Sequence, residues 1–280
     1  MTMHSRFVVY TDLDGTLLDH TTYSFDKALP ALRMLDREGI PLVISSSKTR
    51  PEIERYRSLL GNKHPFVTEN GGGIFIPEGY FCTGFSFDRT YGGYSVVELG
   101  TPRDVLRDVL KLVARETGIR IEGVFDMSLQ KIVKLTGLDP ASAEFVQERE
   151  YSEPFLIHGD VAEVGRKIIE KGYDHTRGSR FHHILGGNDK GRAVRILTEI
   201  YRKESPDVET LGIGDSLNDL AMLEEVDFPI LVQKEGGVYE KECRFPGIIL
   251  AQGEGPAGFN SSILNFFRKY EGKTITENSI

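Results

Sequence analysis

A chain of 280 residues with 34 Lys and Arg against 42 Asp and Glu carries a net charge of −8, which excludes a general nucleic-acid binder, whose footprint is a basic excess. Its hydrophobic residues make up 39%, 30 glycines bring the apolar share to about half, and only 12 prolines occur, so the composition is that of a globular chain and not of a disordered or collagen-like one. Two distant cysteines, Cys82 and Cys243, exclude a disulfide framework and a four-cysteine zinc site and point to a reducing cytosol, while no apolar stretch reaches the ~20 residues of a membrane span.

The first apolar run, Phe7 to Tyr10, is too short for a signal peptide and reads as a strand buried on both faces. It runs into the polar turn Thr11-Asp12-Leu13-Asp14-Gly15-Thr16. Ala28, Leu32 and Leu35 predict a helix over 26–38, stopped by Gly39. Ile40 to Ile44 is a second strand ending in Ser45-Ser46-Ser47-Lys48, and Pro51 opens a helix to about Leu60. Phe66-Val67 is a third strand ending in Glu69-Asn70-Gly71-Gly72-Gly73. Strand, helix, strand, helix, strand is the grammar of a parallel sheet.

That grammar changes after residue 82. Gly84, Gly92, Gly93 and Gly100 break up a segment whose aromatics at 80–94 read as packing for an insert. Thr101-Pro102-Arg103-Asp104 reads as a helix start with Thr101 as N-cap, and Val105, Leu106, Val109, Leu110 and Val113 as the buried face. Further helices are expected at 128–136, 140–150 and 161–171, then a hairpin from Tyr173 to Leu185 turning at Gly178-Ser179. Parallel-sheet grammar returns with a helix from Lys190 to Arg202, a strand Thr210 to Ile213, a helix to Glu225, strands at Phe228 to Val232 and Ile248 to Leu250, and a last helix from Pro256 to near Tyr270. The fold class is therefore α/β: a doubly wound parallel-sheet core in two halves, 1–82 and 187–280, with an α+β domain inserted at 83–186.

In such sheets ligands sit at the carboxyl ends of the strands, where every candidate motif of this chain falls. Asp12 and Asp14, two residues apart at a strand end, aim two carboxylates into one crevice. Their mutual repulsion calls for a divalent cation or an altered pKa, and one acid can attack while the other moves a proton. Alone, Asp14-Gly15-Thr16 reads as an aspartate-glycine turn. Gly214-Asp215 with Asn218-Asp219 is a second acidic cluster after an apolar strand, with hard oxygen donors that suit magnesium, or else a helix-capping cluster. Two such clusters at equivalent strand ends favour a site over two coincidental caps. Lys190 opens a helix behind Gly186-Gly187-Asn188-Asp189, which favours a bound anion, and the serine run at 45–47 with Lys48 supplies hydroxyls and a cation. Gly212-Ile213-Gly214 is not a dinucleotide fingerprint, Gly186 to Gly191 lacks Walker spacing, and His182-His183 lack metal-ligand spacing.

These elements, in order, resemble the haloacid dehalogenase superfamily of phosphohydrolases, on Asp12-x-Asp14-Gly15-Thr16, the serine at the second strand end, Lys190, and Gly214-Asp215-x-x-Asn218-Asp219. The insert's position is similar to that of the C2B-type cap. Within the superfamily the chain resembles the mannosyl-3-phosphoglycerate phosphatase family, on Ser46-Ser47-Lys48-Thr49-Arg50, Glu69-Asn70-Gly71-Gly72, Arg149-Glu150-Tyr151-Ser152-Glu153-Pro154-Phe155, Gly178-Ser179-Arg180-Phe181 and the tail Gly255 to Asn260. The resemblance implies a phosphatase in which Asp12 is the nucleophile that becomes a phosphoaspartate, and Asp14 the acid and base. Ser46 and Lys190 hold the phosphoryl oxygens, with Ser45 and Ser47 as alternatives to Ser46.

The resemblance further implies Mg2+ on Asp12, the main-chain oxygen of Asp14, and Asp215, with Asn218 and Asp219 supporting that shell. The expected substrate is a small phosphorylated sugar-glycerate, met by Lys48, Asn70, Ser179 and Arg180; Arg180 is chosen because a guanidinium beside a hairpin turn suits a glycerate carboxylate. No nucleic acid and no membrane is expected as partner. The alternatives are a glucosyl-3-phosphoglycerate or other sugar-phosphate phosphatase, a phosphotransferase similar to phosphomannomutases, and a phosphoacceptor signalling module, which Asp14 and the large insert disfavour.

Overall fold

The computed structural model describes residues 6–177 and 180–277, with side chains through 270. They form two compact units, one from the chain up to Ser46 with Glu78–Phe85 and Lys190 onward, the other from Ser47–Pro77 and Ser86–Asp189. Among the described residues no helix is long and apolar enough to cross a membrane.

In the first unit, β1 (Phe7–Thr11), β2 (Leu42–Ser45), β11 (Glu209–Gly214), β12 (Phe228–Gln233) and β13 (Ile249–Glu254) lie in the order β13-β12-β11-β1-β2. All neighbours in that run are parallel. Every residue of β1 and β2 is buried, the signature of a strand covered on both faces. Helices α1 (Leu29–Arg37), α7 (Lys190–Glu204), α8 (Leu220–Glu225) and α9 (Gly255–Glu277) flank the sheet sequence. Phe7 is fixed edge-on by Phe266, Phe267 and Tyr270 of α9, with centroids 4.8–5.7 Å away. That helix runs past the expected end at Tyr270. Tyr80 and Phe81, expected to pack the insert, belong instead to this unit: the Tyr80 and Tyr201 hydroxyls lie 3.0 Å apart, and the Phe81 ring meets Tyr201 edge-on.

The second unit holds α2 (Arg50–Leu60), β3 (Phe66–Thr68), β4 (Gly73–Pro77), β5 (Arg89–Tyr91) and β6 (Tyr94–Glu98), the strands ordered β3-β4-β6-β5 with antiparallel neighbours. Thr49 and Glu52 close a capping box on α2, which ends on left-handed Gly61. A four-stranded antiparallel sheet follows in the order β7-β8-β10-β9, from β7 (Arg120–Gly123), β8 (Ser152–His158), β9 (Asp174–Arg177) and β10 (His182–Leu185). One core joins Leu106, Leu110 and Val113 of α3 (Arg103–Thr117) to Phe155, Ile184, and Val164 and Ile168 of α6 (Val161–Glu170). A second core joins α4 (Leu129–Thr136) and α5 (Pro140–Gln147) around Ile132, Ala143 and Phe181.

Two expectations for α3 are corrected. Pro102, not Thr101, stands at its N-cap, because Thr101 spends both its N–H and its hydroxyl on the carbonyl of Gly186. Val105 is 43% exposed, one position off the stripe that carries Leu106, Leu110 and Val113. Helix α5 also stops at Gln147, short of 150, and the strands β4 to β8 were not anticipated.

The expected hairpin is present as β9 and β10. His175 Nε2 and His182 Nδ1 lie 3.0 Å apart across it, so one ring donates to the other and the pair resists a second proton. Burial lowers both pKa values, helped at His175 by His182 and at His182 by Arg177; His183 is pushed down to about 3 by burial, then by Arg149, His182 and His175. An unfolded histidine protonates near 6.5, so these groups stabilise the fold fully above that pH, and the contribution fades as pH falls toward the depressed folded values. We expect the urea midpoint of the second unit to drop between pH 7.5 and 5, and His183→Gln to flatten that dependence, as read by urea unfolding at each pH.

Candidate active site

The parallel register sets the site. Thr11 pairs with Ile44 on one side and Ile213 on the other, and the Asp12 N–H donates to the Ile213 carbonyl at 3.0 Å. The residues that follow β1, β2 and β11 therefore emerge at the same end of the first unit's sheet: Asp12 and Asp14, Ser46, and Asp215. The turn after β1 is tight, with Gly15 N–H on the Leu18 carbonyl and Leu18 N–H on the Leu13 carbonyl. Gly15 has φ +77, and a Cβ there would stand 2.8 Å from Asp215 Oδ2, so only glycine lets this turn meet the second acidic loop.

Lys190, 2% exposed at the start of α7, places Nζ 2.8 Å from Asp12 Oδ1 and 2.6 Å from Asp219 Oδ1. A Cβ on Gly191 would lie 2.5 Å from the Ala221 carbonyl, so this glycine lets the first turn of α7 approach α8 and brings the ammonium to Asp219. Asp219, fully buried, uses its other oxygen to accept from the N–H groups of Asp215 and Ser216 at 3.1 and 3.2 Å. Thr16 Oγ1 donates to Asp215 Oδ1 at 3.2 Å.

One oxygen each from Asp12, Asp215 and Asp219 lies within 4.8 Å of the others, all three residues buried. Burial pushes the Asp12 carboxyl up, with Asp219 and Asp14 acting in the same direction against Lys190. Asp215 is raised to about 6 by burial and then by Asp219, against Thr16 and the cations Lys234 and Lys190. Burial opposes the charge of Lys190, but Asp12 and Asp219 outweigh it and hold the amine above its ordinary value. One ammonium against three buried carboxylates leaves negative charge uncompensated. A hard divalent cation fits this oxygen-only donor set.

The structure thus brings together Asp12, Lys190, Asp215 and Asp219, with Asp14 half-buried and Ser46 1% exposed at the same sheet end. Asn218 sits on an exposed turn, 2.5 Å from the Ser216 hydroxyl. Ser45 is fully buried with an unpartnered Oγ. Lys48, Asn70 and Arg180 belong to the second unit. There Lys48 lies 3.8 Å from Glu52, Asn70 is left-handed at φ 57, and Arg180 is exposed; Ser179 lies outside the described residues. Two roles were not anticipated: Asp219 as direct partner of Lys190, and Thr16 as a donor to Asp215. Both residues stood in the quoted motifs, but their partners are 29 and 199 positions away.

The model of the haloacid dehalogenase-like hydrolases matches residues 9–82, which carry Asp12, Asp14 and Ser46. The fold also resembles a solved structure described as the HAD subclass IIB sugar phosphatase BT4131, with a TM-score of 0.60 at 12% identity over 95% of this chain and 98% of that one. Fold and comparison define the class: a hydrolase of the haloacid dehalogenase superfamily with an α/β fold like that of a subclass IIB enzyme. A glucosyl-3-phosphoglycerate/mannosyl-3-phosphoglycerate phosphatase of Methanococcoides burtonii is 45% identical over 267 residues, covering 94% of this chain and 98% of its own. A mannosyl-3-phosphoglycerate phosphatase of Pyrococcus furiosus is 37% identical over 226 residues, covering 80% and 90%. The chain belongs to the mannosyl-3-phosphoglycerate phosphatase family, and by class it is a phosphoric monoester hydrolase.

Removing one partner from a buried charge cluster leaves the others uncompensated, at a typical cost of about 3–5 kcal/mol. Lys190→Met should therefore lower the stability of the metal-free protein by about that amount in urea unfolding. Magnesium should raise the midpoint of the variant more than that of the parent.

Proposed function

We propose that the chain hydrolyses the phosphomonoester of mannosyl-3-phosphoglycerate to mannosylglycerate and phosphate, through a phosphoaspartate on Asp12 and with Mg2+ as cofactor, in the cytoplasm. One observation carries this reading: a buried aspartate at a strand end, held by a buried lysine beside two further aspartates. Lys190 bonds Oδ1 of Asp12, which leaves Oδ2 as the attacking oxygen. A bond forms from Oδ2 to phosphorus as the bond from phosphorus to the glycerate oxygen breaks, and Asp14 gives its proton to the departing oxygen. Asp14 then takes a proton from a water that attacks the phosphoaspartate, which frees Asp12 and releases phosphate. Ser46 donates to a phosphoryl oxygen, and Lys190 keeps the nucleophile's surroundings from repelling the substrate. Asp12, Asp215 and the main-chain oxygen of Asp14 would hold the magnesium, with Asp219 and Asn218 behind them, and the ion supplies neutralisation of phosphoryl charge when bound.

In this reading 1–82 and 187–280 are the core and 83–186 the cap, on the order of the segments along the chain. Lys48, Asn70, Ser179 and Arg180 are the candidates for reading the leaving group. The names of the relatives support both the mannosyl and the glucosyl substrate, so a panel holding both, with simple sugar phosphates as controls, is the deciding assay. Release of phosphate from neither glycosyl-phosphoglycerate would end the reading.

Asp12→Asn removes the attacking charge at constant shape and should cost several orders of magnitude in kcat with folding intact. A chelator should abolish turnover, magnesium should restore it, and calcium should restore it poorly, because its larger and looser shell misplaces in-line geometry. Phosphate release assays with each ion check this.

A further inference from the structure

The segment Arg149-Glu150-Tyr151-Ser152 has no part in the chemistry above, yet it converges on the turn that carries Ser46. Arg149, whose side chain is 13% exposed, donates from Nη1 to the Ser47 carbonyl at 3.3 Å and to Ser152 Oγ at 3.1 Å. The next carbonyl, that of Lys48, accepts from the N–H of Glu69 at 3.0 Å. Both carbonyls that follow Ser46 are thus tied down, one by Arg149 and one by Glu69.

Glu69 is itself over-determined. It is 1% exposed, and its carboxylate accepts from the N–H groups of Glu150 and Tyr151 at 2.7 and 3.2 Å and from Ser152 Oγ at 2.5 Å, with Arg149 Nη1 3.7 Å away. Its own carbonyl accepts from Asn188 Nδ2 at 2.7 Å. Its backbone is left-handed, φ 48, as is that of Asn70, φ 57, a conformation that non-glycine residues hold at a cost and that persists where surrounding bonds impose it. Strain of this kind, enforced by a buried carboxylate, gathers at sites where a backbone must be held in place. The turn it holds is the one whose first residue, Ser46, sits at the sheet end beside the nucleophile's strand.

We propose that Arg149 and Glu69 are positioning residues for the phosphate-binding turn: by clamping the carbonyls of Ser47 and Lys48 they fix the orientation in which Ser46 meets the phosphoryl group. The inference rests on the reading of Ser46 as a phosphate ligand. It gives the Arg149 to Phe155 motif a role at the phosphate and not at the leaving group. The effect of the pair must therefore pass through Ser46 and be the same for every phosphomonoester.

The test is a double-mutant cycle of Arg149→Met with Ser46→Ala, read by the Ki of orthovanadate and by kcat/KM for an aryl phosphate and for the glycosyl-phosphoglycerate. We expect Arg149→Met alone to raise the vanadate Ki and to lower kcat/KM about tenfold for both substrates, since small misplacements of a binding group are amplified in turnover. On the Ser46→Ala background the same change should add little, because the group it positions is gone. Arg149→Lys, whose single ammonium can donate to both acceptors as Nη1 does but from a differently placed nitrogen, should recover part of the loss. A vanadate Ki unchanged in folded Arg149→Met, additive effects in the double variant, or a loss confined to the glycosyl substrate would each overturn the proposal. If Arg149→Met does not fold, the decision passes to Ser152→Ala and Arg149→Lys, where unchanged vanadate affinity in both overturns it. A parent enzyme that turns over phosphomonoesters but shows no vanadate loss in Ser46→Ala refutes the underlying reading of Ser46 and the proposal with it.

Discussion

Everything at the active end of this sheet depends on one buried ammonium group. Lys190 spans two buried carboxylates, Asp12 and Asp219, and burial pushes that of Asp12 toward its neutral form. In a medium that screens weakly, such a lysine favours the charged form of Asp12 against burial, and it engages one of the two carboxylate oxygens, Oδ1. The arrangement costs stability compared with an apolar core, which is the usual exchange where charge is held for chemistry.

That ammonium reaches its partners only because the backbone is allowed unusually close approaches. Gly15, Gly191 and Gly214 each stand where a Cβ would come within 2.8 Å of a neighbour: Asp215 Oδ2, the Ala221 carbonyl, and the Asp219 Cβ. The turn after β1, the first turn of α7 and the end of β11 thereby come together in a space that side chains larger than hydrogen would fill. The glycine in each motif is thus a packing requirement of the charge cluster and not an incidental turn residue.

The chain's helices and parallel strands were legible because their signals are local. Phe7 to Tyr10 and Ile40 to Ile44 read as buried strands from apolar run length, and the helix over 26–38 from the spacing of Ala28, Leu32 and Leu35 before Gly39. The antiparallel strands of the second unit were not legible. Arg89–Tyr91 and Arg120–Gly123 are too short and polar to alternate, and Ser152–His158 carries Pro154, which argues against an interior strand. The partners of Arg120–Gly123 and Ser152–His158 lie about 30 residues away, Arg120 opposite His158 and Phe155 opposite His182. Thr101 was misread for the same reason: its capping chemistry was intact, but the Gly186 carbonyl claimed it.

The sequence by itself determined the chemistry on offer. Acids at two strand ends, a lysine at a helix start and a serine run offer oxygen donors for a cation and donors for an anion, and their order carries the resemblance to a phosphohydrolase superfamily, because reactive residue types and their order are properties of the chain. Tertiary structure alone decided the pairing: that Lys190 binds Asp219 as well as Asp12, that Thr16 donates to Asp215, and that Arg149 and the Glu69 N–H bond the carbonyls of Ser47 and Lys48. A charged group's partner is set by distance and burial, and neither is encoded in separation along a sequence.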